Sequence, residues 1–490
     1  MQDTKVNWQD NVKSIFKPKK VQEIDEHFSK HNKLDKKLSI FEIIGIGIGM
    51  IVGAGVFILT GIAASVHAGP AITLSFLLSA LICICAGLCY AEFASIVSSS
   101  GSSYTYTYLS FGEFPAYMVG LISVTGYFFG AVSVSEGWSG YFVDLMCDFN
   151  INFSEKFIHP FGYKYVANGI SCNSLFNIPA FIISILSSLI LYRGVKFSSI
   201  ATSIAVIIKL VVLTTFICIG VFYINYDNWT PYIPKNTGEF GKYGFSGIIA
   251  GVSMVFLSFN GLDAVCTSAQ EIKNPKKNIP IGIIATIIIV TILYISLSAV
   301  LTGLVSYTKL GVPQSLSLAV TAIGIPWLNF FIKIGAIMGL TSVVLVSQYT
   351  IIRMLLVIAD DGLLPKFFAK VHKKYKTPHR LTLLVGILMG LMAGFTDLED
   401  IIKFSSFFIL ISLITVCISS IKFRYKNSSD VKQGFKCPFM PITPMIAILL
   451  SIFIIISSYT LKIYIYSLLI FTILAFFYFA IKINSFKKHL

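Results

Sequence analysis

The sequence predicts an all-α protein that crosses a membrane many times, and three observations predict it. Only 12% of the 490 residues are charged, against roughly 25% in an ordinary soluble chain, and the mean hydropathy is +0.80. Apolar runs of about 20 residues recur along the chain, each able as a helix to cross ~30 Å of hydrocarbon at ~1.5 Å per residue. Lysine and arginine crowd into alternate connections between these runs. A chain in lipid must satisfy its backbone polar groups internally, so runs of this length read as helices.

Taken in order, a polar, lysine-rich tail over 1–37 precedes the first apolar run, from about Leu38 to Val66. No cleavable signal peptide is expected there, since no apolar core follows the first basic residues. Ala68, Gly69 and Pro70 turn the chain into a second run that ends near Glu92. The segment Ser98–Tyr108 (SSSGSSYTYTY) is too rich in small polar residues to face lipid as a helix. A third span runs from about Phe114 to Met146, and a loop continues to about Asn177. Further spans fall near 178–192, 198–224, 245–270, 280–306, 326–358, 381–396, 401–421, 441–460 and 463–482, which makes about twelve by length and hydropathy. They group as a first block of five over 38–224, a second over 245–424 and a final pair over 441–482, with a short tail over 483–490.

The formal charge of +15 would suit a nucleic-acid partner, but its placement removes that reading. The bases lie in the N-terminal tail, at Arg193 and Lys196, at Lys273, Lys276 and Lys277, over 366–380 and 422–436, and at the C-terminus. The alternate set of connections holds only Lys156, Lys164, Lys235, Lys242 and Lys309. By the positive-inside rule the first set is cytoplasmic, and so are both termini. The nine cysteines fall mostly in apolar runs without C-x-x-C spacing; Cys147 and Cys172 flank one loop and would pair only in an oxidising space. His27 and His31 in the tail support no metal site.

The first apolar run carries an unusual stretch, Gly45–Phe57 (GIGIGMIVGAGVF). Glycine permits a helix to unwind or another backbone to approach closely. Gly45, Gly49 and Gly53 also recur every fourth residue, the spacing of a small-residue packing face. A dinucleotide fingerprint does not fit, because no strand precedes the glycines. The sixth run repeats the anomaly: Phe256–Asp263 (FLSFNGLD) sets a polar, glycine-containing break in mid-span. Breaks at corresponding positions of two blocks point to an inverted-repeat transporter with its site at the membrane midplane. Amide N–H groups at the first break suit a carboxylate, and carbonyls at the sixth suit an ammonium. A solute that presents both is an α-amino acid.

Among the ionisable residues within spans, Lys209 lies about eleven residues from either end of the fifth, roughly 16 Å from each interface. That is beyond the reach of a snorkelling side chain, and a charge there costs at least ~2.5 kcal/mol. Burial disfavours the charged form of an amine, which fits Lys209 to bind and release a proton during a cycle. The alternative is a lysine that caps carbonyls or faces a watery vestibule. Asp263 is expected to cap the half-helix that follows the sixth-span break or to contact polar neighbours, and Glu92 to brace the Ser/Tyr-rich loop. Glu136 and Lys333 lie within spans, and Arg353 is expected to reach the cytoplasmic headgroups.

The chain resembles the amino acid–polyamine–organocation superfamily, in its cationic amino acid transporter branch, over nearly everything after about Leu34. The resemblance rests on Gly49–Phe57 (GMIVGAGVF), Tyr90–Ala94 (YAEFA), Gly101–Tyr108 (GSSYTYTY), Gly137–Phe142 (GWSGYF), Gly261–Val265 (GLDAV), Asn278–Ile283 (NIPIGI), Asp361–Pro365 (DGLLP) and Lys436–Pro441 (KCPFMP). It implies the leucine-transporter fold, two inverted five-helix repeats followed by two further helices, and a secondary transporter rather than an enzyme. It implies that the substrate carboxylate meets the main chain around Ile51, Gly53, Ala54 and Gly55, and that the ammonium meets carbonyls of Leu257, Ser258 and Asn260. Ser347 aligns with a side-chain pocket position where a small residue leaves room. Lys209 matches the lysine that takes the place of a sodium ion in proton-coupled members, which favours the proton gradient as coupling ion, with no other cofactor. Gly126 stands where members that take cationic side chains can carry a glutamate, and Asn260 and Gln348 add polarity, so neutral or polar substrates are indicated by charge and a larger one by size.

The resulting expectation is proton-coupled amino acid import by alternating access in a bacterial inner membrane. An amino acid exchanger, or a non-transporting amino-acid-binding receptor or subunit, is the alternative. The expected partners are an amino acid, membrane lipid and a small accessory membrane subunit.

Overall fold

The computed structural model describes residues 15–19, 21, 39–53, 55–97, 101–151, 153–167, 170–267, 272–365, 367–372, 375, 377–396, 398–426 and 434–487. His27, His31, Ala54 and Ser98–Ser100 lie outside them. The described chain is almost entirely helical, as its hydropathy dictates. Among the described residues eight stretches are long and apolar enough to cross a membrane, and three shorter apolar helices accompany them.

Helix α1 (Ile40–Ile51) starts where the Ser39 N–H donates to the Glu42 carboxylate at 2.6 Å, closing its first turn. A π-helical turn (Gly55–Leu59), the short α2 (Thr60–Ala63) and a second π turn (Ala64–Ala68) continue it. Gly69, at φ 62°, then reverses the chain into α3 (Ile72–Ile96). The Ser/Tyr-rich segment forms α4 (Ser103–Phe111), buried along its length, and α5 (Glu113–Asp148) follows directly. The next connection contains a feature without a hydropathy signature, a small antiparallel hairpin of β1 (Lys164–Ala167) and β2 (Ile170–Asn173), with Lys164 opposite Asn173.

Helix α6 (Ile178–Tyr192) is capped by the Asn177 side chain, which accepts from the Ala180 N–H at 3.2 Å, with Pro179 in its first turn. Helix α7 (Val195–Gly220) completes the first block. The second holds α8 (Gly244–Val255), a 3₁₀ turn (Phe256–Phe259), α9 (Leu262–Thr267), α10 (Pro275–Leu304), the short α11 (Ser315–Ala322), α12 (Pro326–Asp360), α13 (His379–Phe395) and α14 (Leu398–Lys426). Two more, α15 (Ile442–Ser458) and α16 (Leu461–Lys487), close the chain.

Packing between the blocks is reciprocal. Helix α3 lies against its counterpart α10, α5 against α12, and α6 against α13. Contacts between non-counterparts come in swapped pairs: α5 with α14 and α12 with α7, α1 with α10 and α8 with α3, α1 with α7 and α8 with α14. That is the pattern two similar blocks make when a two-fold axis relates them. The two interrupted segments themselves touch, the π turn after α1 against the 3₁₀ turn after α8.

Candidate functional site

At the first break, α1 stops because Val52 turns to an extended conformation, φ −77° and ψ 99°, while its N–H still reaches the Ile48 carbonyl at 2.9 Å. The ladder resumes where the N–H groups of Val56 and Phe57 both donate to the Gly53 carbonyl, at 3.1 and 3.2 Å. Between these points, no described residue accepts from the N–H of Gly53 or Gly55. A helix end leaves its last carbonyls without intrahelical donors. Three are met from elsewhere: those of Gly49 and Val52 by the Lys209 ammonium, at 2.6 and 2.5 Å, and that of Ile51 by the Tyr294 hydroxyl at 2.7 Å. The third donor of Lys209 reaches Ser342 Oγ on α12 at 3.0 Å. Lys209 is wholly buried, so its three N–H bonds have three oxygens and no water-facing side.

At the second break, the 3₁₀ turn ends in extended Asn260, whose N–H donates to the Leu257 carbonyl at 3.1 Å. The Ser258 carbonyl lies 3.0 Å from the Tyr294 hydroxyl. Two of the carbonyls expected to receive an ammonium, those of Leu257 and Ser258, thus already hold one neighbour each and keep a lone pair free. The Ser258 hydroxyl is buried with no partner among the described residues. The breaks touch: a Cβ on Gly55 would collide with the Ser258 side chain, and one on Gly261 would stand 2.5 Å from Ile51 Cγ1. Close approach, more than a single packing stripe, explains the glycines. Gly49 faces Val206 of α7, Gly53 faces Val343 of α12, and Gly45 faces open space.

The surrounding residues sort differently from the sequence-based expectation. Asp263 takes the second of its two expected roles, contact with polar neighbours, and through them it caps a helix other than its own. Its carboxylate accepts from Ser102 Oγ at 2.6 Å, Tyr127 Oη at 3.2 Å and the Ser103 N–H at 3.4 Å, and so holds the start of α4. Glu92 in turn finds its partners elsewhere among the described residues. It accepts from the Cys437 N–H at 2.8 Å and faces Arg424 Nε at 3.5 Å, tying α3 to the segment after α14. Gln348 is turned to α6, bonded with Ser188 Oγ at 3.2 Å and the Ser184 carbonyl at 3.0 Å, so it lends no polarity to the breaks. Ser347 is buried one helical turn beyond Val343, the residue that touches Gly53. A Cβ on Gly126 would meet Ile409 and Phe408 of α14, which leaves no space for an acidic side chain without repacking.

Lys333 pairs with Asp148 at 2.7 Å and Asp144 at 3.2 Å near the end of α5, and the Arg353 guanidinium lies over the Tyr349 ring at 4.6 Å. Glu136 is buried within α5. Cys147 and Cys172 are both free thiols. Among the described residues no cluster of His, Cys, Asp or Glu is arranged to hold a metal.

Sequence reasoning missed Tyr294, Ser342 and Tyr141, whose hydroxyl donates to the Phe57 carbonyl at 2.7 Å. Each is an ordinary residue in an apolar helix, and its role shows only when the distant carbonyl it serves is in place.

The family profile described as amino acid permease matches residues 38–484, through both breaks and all the packed helices. The chain belongs to the amino acid permease family. Relatives of this permease include the methylthioribose transporter of Bacillus subtilis strain 168, 36% identical over 436 residues, 89% of this chain and 91% of that one. The branched-chain amino acid permease of the same bacterium is 36% identical over 446 residues, 91% and 92% of the two chains. Mouse cationic amino acid transporter 4 is 32% identical over 408 residues, 82% of this chain and 62% of that longer one. These are transporters by name, not enzymes. The permease is a multi-pass integral membrane protein of the amino acid–polyamine–organocation superfamily, and its broken helices belong to an amino acid transporter.

Proposed function

We infer that this permease imports neutral α-amino acids together with a proton, by alternating access around the two breaks, in a bacterial inner membrane with both termini inside. The reciprocal packing of the two blocks supports a leucine-transporter arrangement of inverted repeats. The substrate carboxylate would take the main-chain N–H groups of Gly53 and Gly55 and those around Ile51 and Ala54. Its ammonium would take the free lone pairs of the Leu257, Ser258 and Asn260 carbonyls, and its side chain would lie toward Ser347.

The observation that carries the coupling is the three-way contact of Lys209. An ammonium has three hydrogens for the oxygens of Gly49, Val52 and Ser342; a neutral amine has two and a lone pair. Loss of the proton removes the positive charge from the two carbonyl contacts and lets Ser342 Oγ turn to donate to Nζ, so the ties to the end of α1 weaken. Protonation and the position of the inner half-helix become one equilibrium, which is the requirement for a symporter.

A neutral substrate is supported by the packing at Gly126, by Gln348 facing away and by the engagement of Asp263 with α4. The 36% identity to a branched-chain amino acid permease points the same way.

The test is uptake into sealed vesicles of purified protein, across a panel of amino acids, with and without an inward proton gradient. Neutral amino acids should accumulate only with the gradient. Lys209→Ala should keep binding them and lose the accumulation; gradient-driven uptake by that variant at the wild-type level would refute the coupling role.

A further inference from the structure

Tyr294 stands between the two breaks. It is fully buried midway along α10, with its ring held between Phe76 and Phe259, at centroid distances of 5.1 and 5.3 Å. Its hydroxyl lies 2.7 Å from the Ile51 carbonyl of the first break and 3.0 Å from the Ser258 carbonyl of the second. A phenolic hydroxyl has a single hydrogen, so it donates to one of these carbonyls at a time. The other then faces only the oxygen's lone pairs, in a site where an unmet buried acceptor is costly.

We propose that Tyr294 is a positioning residue for the substrate ammonium: its hydroxyl clasps the two broken helices while leaving one carbonyl short of a donor, and the arriving ammonium supplies the missing hydrogen. The shorter contact assigns the hydroxyl hydrogen to Ile51 and leaves the Ser258 carbonyl for the substrate. The Ser258 carbonyl gains a donor of its own only when an α-ammonium is bound, so the single hydrogen of Tyr294 sets how strongly the site favours an amine over an uncharged or absent group at that position. This rests on the amino-acid site described above and adds to it the residue that sets the demand for a hydrogen donor.

The experiment compares wild-type permease with Tyr294→Phe, which keeps the ring and removes only the hydroxyl. Equilibrium binding is measured for three pairs of probes, each an L-amino acid and the same acid without its α-amino group: alanine and propionate, leucine and 4-methylpentanoate, lysine and 6-aminohexanoate. For the pair that binds best, the wild type should prefer the amino acid strongly. Tyr294→Phe leaves both carbonyls without a donor and should raise that preference about tenfold, equivalent to ~1.4 kcal/mol. A role in packing alone would weaken both members of a pair alike; an unchanged ratio overturns the proposal.

Should the phenylalanine variant not fold, 4-aminophenylalanine at position 294 serves instead. Its two N–H bonds fill both carbonyls without substrate, so it should fold and lose the preference, and wild-type selectivity in that variant counts equally against the clasp. A wild type that binds no member of any pair overturns the amino-acid site itself, and the clasp with it.

Discussion

At the scale of single residues, Lys209 and Tyr294 mark the limit of what the sequence discloses. A lysine amid isoleucine and valine announces itself, because a charge at that depth needs a reason to be there. The structure supplies the reason in the carbonyls of Gly49 and Val52. A tyrosine in a membrane helix announces nothing, since its cost is small and its partners lie 243 and 36 residues away in the chain. Gln348 misleads in the opposite sense, since its polarity is spent on α6. Gly55 is the most sensitive position of the first break, because its missing side chain is the space that Ser258 occupies. Gly55→Leu should weaken amino acid binding by at least about tenfold, ~1.4 kcal/mol, while the protein still reaches the membrane. Isothermal titration checks this, and near-normal affinity would contradict the contact between the breaks.

At the scale of elements, both interruptions were legible because a polar, glycine-bearing segment inside a long apolar run has few stable solutions in lipid. What each broken end is tied to was not legible. Asp263 sits at the start of α9 and reads as its cap, yet its oxygens hold α4. Sequence proximity favoured the local partner, whereas a buried carboxylate takes whichever donors the fold presents, here Ser102, Ser103 and Tyr127. Asp263→Ala should leave those donors unmet and cost ~2–3 kcal/mol. The readout is thermal unfolding in detergent, where an unshifted midpoint would show that the α9–α4 tie contributes nothing. The β1–β2 hairpin escaped prediction for a simpler reason: four-residue strands carry too little periodicity to stand out.

At the scale of the whole molecule, hydropathy fixed the class and alternate basic loops implied an orientation, while the reciprocal packing of the two blocks needed coordinates. In the sequence the two blocks show their correspondence at the two interruptions; the reciprocal contacts carry it to the long helices, from α1 and α8 to α7 and α14. The orientation is testable on intact cells. Cys147, exposed at the end of α5, should react from outside with a membrane-impermeant maleimide. In a cysteine-free background, a cysteine introduced by Ser485→Cys near the end of α16 should react only after the cells are made permeable. Labelling of the second site in intact cells would reverse the assignment.

If the solitary amine at the first break carries the proton as proposed, it would also set a stoichiometry. With one hydrogen ion per turnover a neutral solute would gain about tenfold in concentration for each pH unit across the bilayer, ~1.4 kcal/mol, with the membrane voltage adding to that through the same single charge. Such a carrier would trade steep enrichment for independence from sodium: it would scavenge wherever an acidic exterior or an inside-negative voltage is maintained.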